Sequence, residues 1–267
     1  MSPGAPDRRV PLVMGIVNVT PDSFSDGGRF LEPEAAVTHG RQLLAEGAAV
    51  LDVGGESTRP GAGPVPVEEE LRRVVPVVEA LAPLGRVSVD TRRAEVARAA
   101  VAAGATLLND VSASLWPLAA ELGVGWIAMH MRGEPPTMQA DPHYDDVVVE
   151  VCAFLAERAE AASAAGVAEV WVDPGFGFGK TTAHNLELLA HLDRVVALGW
   201  PVCVGTSRKA TLGRLLARSD GVAEPVGVED RLAGSIATEV WAMHLGAAMV
   251  RAHDVRAAVQ ASRVVAA

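Results

Sequence analysis

Aromatic residues are scarce in this 267-residue chain: five Phe, five Trp and a single Tyr, 4% in all. Any large core must therefore be built from Val, Leu, Ile and Ala, the composition of strands buried on both faces. With 49% hydrophobic residues and a mean hydropathy of +0.23, such a core is well supplied. Cysteine is almost absent. Cys152 and Cys203 lie far apart in apolar contexts, which excludes a disulfide framework and a thiolate metal module and predicts buried free thiols in a reducing compartment. No apolar run is long enough to span a bilayer, and the opening MSPGAPDRRV has no apolar signal core, so a cytoplasmic location is expected. There is no Lys/Arg run. A net charge of −10 and a pI near 5.2 argue against nonspecific nucleic-acid binding, though a locally basic site for a small anion stays open. A G-x-G-x-x-G opening the first helix and a Walker-type lysine loop are both missing.

What is present is a coarse repeat. A helical stretch ends at a glycine, a short apolar run follows, and the run ends in a polar residue. Gly47, Gly85, Gly104, Gly123, Gly166, Gly199 and Gly246 precede runs that end at Asp52, Asp90, Asn109–Asp110, His130, Asp173, Ser207 and Arg251/His253. An opening run, PLVMGIVN, ends at Asn18. Glycine supplies the left-handed cap that stops a helix. Continuous rather than alternating apolar runs fit parallel strands covered on both sides. Amphipathic stretches such as Pro33–Glu46 and Asp145–Ala165 lie between them, whereas Pro76 inside the pattern Glu68–Leu81 predicts a kink or break. Eight runs, each followed by a helical segment, predict a single-domain α/β fold, the (β/α)8 or TIM barrel, over residues 11–267 behind a flexible segment 1–10. A doubly wound open sheet is the alternative.

The polar run ends then gather at the C-terminal mouth, where barrel enzymes place their chemistry. Taken singly, Asp52, Asp90 or Asn109 could as well cap the next helix. Eight polar endings are more than capping requires. Two glycine- and proline-containing loops, Asn18–Gly28 and Gly54–Gly63, are too long for connectors and read as active-site lids. Asp173–Thr181, DPGFGFGKT, lets Phe176 and Phe178 project from a tight turn to stack on a flat ligand. Ser207, Arg208 and Lys209 suit an anion. Asn18, Arg251 and His253, on strands that become neighbours when a barrel closes, could hold a diphosphate, with Asn18 as an oxygen ligand to Mg2+. Opposite them Asp90, Asn109 and Asp173 could bind an aminopyrimidinone edge. The residues alone thus point to a flat nitrogen-rich heterocycle on one side and a phosphate-bearing group on the other.

In order and spacing, MGIVNVTPDSFSDGG, DVGGESTRPGA, SVDT, LNDVSA, DPGFGFGK, GTSRK and RAHDV resemble the dihydropteroate synthase family, from about Met14 to the C-terminus. The resemblance implies a TIM-barrel transferase that joins (7,8-dihydropterin-6-yl)methyl diphosphate to 4-aminobenzoate, giving 7,8-dihydropteroate and diphosphate in folate biosynthesis. It implies a pterin site of Asp90, Asn109, Met129, Asp173, Lys209 and Arg251. It further implies catalytic roles for Asn18, Asp26, Lys209, Arg251 and His253, Mg2+ on Asn18, and an aminobenzoate site, also the sulfonamide site, of Phe24, Thr58, Arg59, Pro60, Phe178 and Ser207. A homodimer is implied too. Ala252 and Ala210–Thr211 depart from the residues usual at those places, and neither departure removes a polar group the chemistry needs. A pterin-dependent methyltransferase would share the Asp/Asn wall but not both ESTRPG and SRK. A silent pterin-binding paralogue should have lost loop residues that are all present here.

Overall fold

Among the residues that the computed structural model describes (10–19, 32–56, 63 and 65–267), eight strands form one parallel sheet. They are β1 Leu12–Asn18, β2 Val50–Gly54, β3 Val87–Asp90, β4 Leu107–Asp110, β5 Gly125–Met129, β6 Val170–Asp173, β7 Cys203–Val204 and β8 Met249–Ala252. Their order is β6-β5-β4-β3-β2-β1-β8-β7. A parallel bridge between Val172 and Val202, with the Val172 N–H donating to Pro201 O at 3.0 Å, joins the two ends. The sheet is therefore a closed barrel, and the open-sheet alternative falls.

Around it lie α1 Glu32–Ala45, α2 Val67–Leu81, α3 Ala94–Ala102, α4 Trp116–Leu122, α5 Val147–Ala164, α6 Thr182–Ala190, α7 Leu192–Val196, α8 Ala210–Asp220, α9 Leu232–His244 and α10 Val255–Ala266. Two of these, α7 and α9, exceed the one-helix-per-strand pattern read from the sequence. Six of the seven predicted cap glycines have positive φ, and Gly85 is the exception. The expected break at Pro76 does not occur, since α2 runs through it. Pro76 is exposed, so water can satisfy the carbonyl left without a helical donor. Both cysteines are free as expected, although Cys152 is only half-buried.

The strands have two different apolar faces. Val13, Leu51, Val89, Leu108, Trp126, Val172, Val204 and Val250 pack outward into the core shared with the helices. Their alternates Met14, Val50, Leu107, Ile127, Trp171, Cys203 and Met249 form a separate cluster inside the barrel. Because side chains alternate along a strand, the next inward positions are Asp52, Asp90, Asn109, Met129, Asp173 and Arg251. A floor that is apolar apart from Ser88 of β3 thus lies one pleat below a polar ring.

Candidate active site

Above the floor is a small cavity that opens to the mouth. Asp90, Asn109, Met129, Asp173 and Arg251 line it from the strand ends, and Val111, Phe178 and Lys209 from the loops. All six residues assigned to a pterin site, with Phe178 from the aminobenzoate set, therefore meet in one place.

Arg251 is held between two carboxylates. Its Nε donates to Asp52 Oδ2 at 2.5 Å and its Nη2 to Asp90 Oδ2 at 2.8 Å. Asn109 Nδ2 donates to the same Asp52 oxygen at 2.9 Å. Asp52 is fully buried and is thus the post that fixes Arg251 and Asn109. Burial works against the charge on Arg251, but Asp52 and Asp90 outweigh it and its pKa rises. Burial pushes Asp90 up to about 7, with Arg251 opposing and Asp52 adding to the shift. Burial also raises Asp173, against the pull of Lys209 and of the Gly175 N–H, which donates to Asp173 Oδ1 at 2.7 Å. Lys209 is lowered to about 8 by burial, although Asp173 opposes the shift. Its ammonium donates to Phe176 O and lies 4.3 Å from the centre of the Phe178 ring.

Other expected residues stand at or just beyond neighbouring strand ends. Asn18 ends β1 in register with Gly54. Ser207 is buried, accepts a hydrogen bond from His253 N at 3.1 Å and lies 3.1 Å from His253 Nδ1. Arg251 and His253, expected to act together, turn apart: the guanidinium goes down to Asp52 and Asp90 and the imidazole toward Ser207. Arg208, read as a second free cation for an anion, is instead paired with Asp254, Nη2 to Oδ1 at 2.7 Å. Asp110, next to Asn109, accepts from Ser114 N and Leu115 N at 2.7 Å each in the turn ahead of α4, whose N-cap Leu115 has no side-chain cap bond. Phe24, Asp26, Thr58, Arg59 and Pro60, and the segment 1–9, lie outside the described residues.

Asp52, the polar end of the second run and expected only to support or cap, supports Arg251 and Asn109. Two further charges stand around the mouth. Glu56, at the foot of loop 2, lies 3.5 Å from both Arg92 and Arg93. Lys180 is 1% exposed at the end of loop 6, with its ammonium 2.9 Å from His130 Nδ1.

A barrel whose mouth holds two carboxylates, an amide and two cations above an apolar floor suits the pterin-binding enzymes, and the chain belongs to that class, matching the pterin binding enzyme family over residues 14–253. Within that class it belongs to the dihydropteroate synthase family. It is 50% identical to the dihydropteroate synthase of Mycobacterium leprae, covering 96% of this chain and 92% of that one. It superposes on Xanthomonas albilineans dihydropteroate synthase with 4-aminobenzoic acid at a TM-score of 0.87 and 53% identity, covering 95% of this chain and 91% of the other. The same enzyme in complex with 7,8-dihydropteroate gives a TM-score of 0.83 at 50% identity, covering 95% and 92%. The chain is accordingly a transferase with dihydropteroate synthase activity, which sets aside the methyltransferase alternative.

Proposed function

We propose that this cavity binds the dihydropterin of (7,8-dihydropterin-6-yl)methyl diphosphate while 4-aminobenzoate attacks its methylene carbon from the mouth. The observation that carries the reading is the pairing of Asp90 and Asp173 with Asn109 and Lys209 around one cavity above an apolar floor. A flat aminopyrimidinone offers N–H groups to carboxylates and a carbonyl to a cation. Met129 supplies an apolar wall and Arg251 a planar cation beside the ring.

Carbon–oxygen cleavage leaves positive charge on the methylene, which the electron-rich ring shares, and negative charge on the departing diphosphate. Stabilising that leaving group should dominate the rate. His253 and Asn18 take this role at the β8 and β1 ends, and Arg251 and Asp26 join them by family resemblance, Arg251 from its place between Asp52 and Asp90. Mg2+ fits a donor set of this kind. Asn18 offers one neutral hard oxygen, and among the described residues no cluster of three His, Cys, Asp or Glu side chains could cage a metal. An ion of this type is ordinarily held by one or two protein oxygens together with phosphate and water. When bound it supplies charge neutralisation at the diphosphate. Phe178 and Ser207, with Phe24, Thr58, Arg59 and Pro60 by resemblance, receive the aminobenzoate. The arylamine is already a neutral nucleophile, so carbon–nitrogen bond formation needs positioning rather than a strong base, and its proton leaves to solvent. No helix among the described residues is long and apolar enough to cross a membrane. A cytoplasmic homodimer is the state we propose for the working enzyme.

The test is turnover of the purified chain. Consumption of the pterin diphosphate only when 4-aminobenzoate and Mg2+ are both supplied, with inhibition by a sulfonamide, is expected. Absence of dihydropteroate under those conditions would sink the reading.

A further inference from the structure

His130 and Lys180, to which the synthase motifs assign no role, are buried partners 2.9 Å apart. Lys180 ends the DPGFGFGK loop, directly before Thr181, the N-cap of α6. Its ammonium lies 3.0 Å from Gly175 O, 3.0 Å from Phe178 O and 2.9 Å from His130 Nδ1, with His130 O further off at 3.4 Å. Three N–H groups thus meet three near acceptors, two of them in loop 6 and one at the end of β5. With Lys180 donating, His130 accepts through Nδ1 and carries its ring proton on Nε2; burial pulls the lysine's pKa down and Asp173 opposes that shift. The imidazole itself is fixed edge-on against Phe154 of α5, with ring centres 5.0 Å apart.

Burying an ammonium is costly unless every donor is used, so a lysine here demands a reason beyond filling space. Backbone packing supplies one. A Cβ on Gly175 would lie 1.8 Å from His130 O, and one on Gly179 would lie 2.0 Å from Arg132 O. Both residues have positive φ, at 67° and 60°. Loop 6 is therefore pressed backbone to backbone against the end of β5, outside any strand or helix ladder. Lys180 gathers two carbonyls of this turn, Phe178 O and Gly175 O, the second of which also accepts from Phe178 N at 3.0 Å. The Gly175 residue is gripped twice, because its N–H donates to Asp173 and its carbonyl accepts from Lys180. The carbonyl of Phe178 is held by Lys180 while its ring faces Lys209.

We infer that Lys180 is a positioning residue for the pterin site, tying loop 6 to His130 so that Asp173, Phe178 and the Phe176 carbonyl that receives Lys209 keep their places around the cavity. It touches no reacting atom. Its loss frees the turn that orients Asp173 and Phe178, so the effect falls on recognition of the pterin more than on the bond-breaking step.

The inference rests on the synthase reading, and the wild-type turnover assay tests that reading separately. Lys180→Met keeps the length of the side chain and removes its donors, and Lys180→Gln restores an N–H pair. For Lys180→Met we expect the KM for the pterin diphosphate to rise about tenfold or more while kcat stays within about threefold, the pattern of lost binding rather than lost chemistry. Lys180→Gln should recover a large part of that loss. His130→Phe, which keeps the ring packing and removes the Nδ1 acceptor, should shift KM in the same direction by less. Circular dichroism reports the folded fraction of each variant. The inference is overturned if Lys180→Met keeps the wild-type KM, if its activity falls only in proportion to the folded fraction, or if Lys180→Gln is no better than Lys180→Met. It is equally overturned if neither variant folds, because the lysine would then serve the fold and not the site.

Discussion

At the scale of the residue, the mouth sets two ionisations against each other. Asp90 has to be ionised to accept N–H groups from an aminopyrimidinone, and its pKa is raised to about 7 by burial. Lys209 has to be protonated to face a carbonyl, and its pKa is lowered to about 8 by burial. Binding of the pterin should therefore strengthen as pH rises through about 7 and weaken as it rises past about 8. A bell-shaped profile of kcat/KM for the pterin diphosphate, which reports the free enzyme, is the measurement. A flat profile between pH 6 and 9, roughly one unit below the raised carboxyl and one above the lowered amine, would contradict these assignments. Most of the residues in this argument were legible beforehand because each stands where an apolar run ends in a polar side chain. What could not be read is which of two adjacent polar residues faces in. Asn109 and Asp110 look equivalent in LNDV, yet alternation sends one to the cavity and the other to the turn ahead of α4. The distant partners of Arg251 and Lys180 were equally hidden, since 199 residues separate Arg251 from Asp52 and 50 separate Lys180 from His130.

At the scale of the element, glycine caps and strand runs were the strongest signals and most boundaries followed them. The run WPVCVGTS yielded only a two-residue strand at Cys203–Val204, because Gly205 and its successors turn away to form the loop that carries Ser207 and Lys209. Pro76 is the clearest conflict between a local rule and the outcome. Its helix buries Val74, Val77, Val78 and Leu81, and that burial overrides the missing N–H. The local cost should still be present as stored destabilisation. Proline in a helix interior costs ~3 kcal/mol, and its rigidity in the unfolded chain returns up to ~1 kcal/mol of that. Pro76→Ala should then stabilise the chain by about 2 kcal/mol, or roughly 4–8 °C in Tm for a domain of this size, measured by reversible unfolding in urea or by calorimetry. An unchanged or lower Tm would mean that the ring makes contacts of comparable value.

At the scale of the whole molecule, the barrel separates what holds it together from what it does by a single pleat. The floor residues contribute apolar burial, whereas the ring above them carries carboxylates and cations that burial disfavours. Stability and activity should therefore respond to different residues on the same strands. Ile127 is fully buried in the floor, and Ile127→Ala should cost about 2–5 kcal/mol through lost transfer energy and the cavity left behind. The folded fraction of that variant should keep its KM for both substrates. Asp173 stands one pleat above Trp171, and its burial raises its pKa, so the ionised form is held at a cost. Asp173→Asn keeps an acceptor for Gly175 N–H and removes that charge. It should leave the urea midpoint unchanged or higher and abolish most turnover, and Lys209→Ala should likewise lose activity with little loss of stability. Paired urea melts and initial rates on the three variants decide the matter. If Asp173→Asn unfolds, or if Ile127→Ala alters KM as strongly as the ring variants, then floor and mouth are one cooperative unit, and the pleat does not divide folding from chemistry.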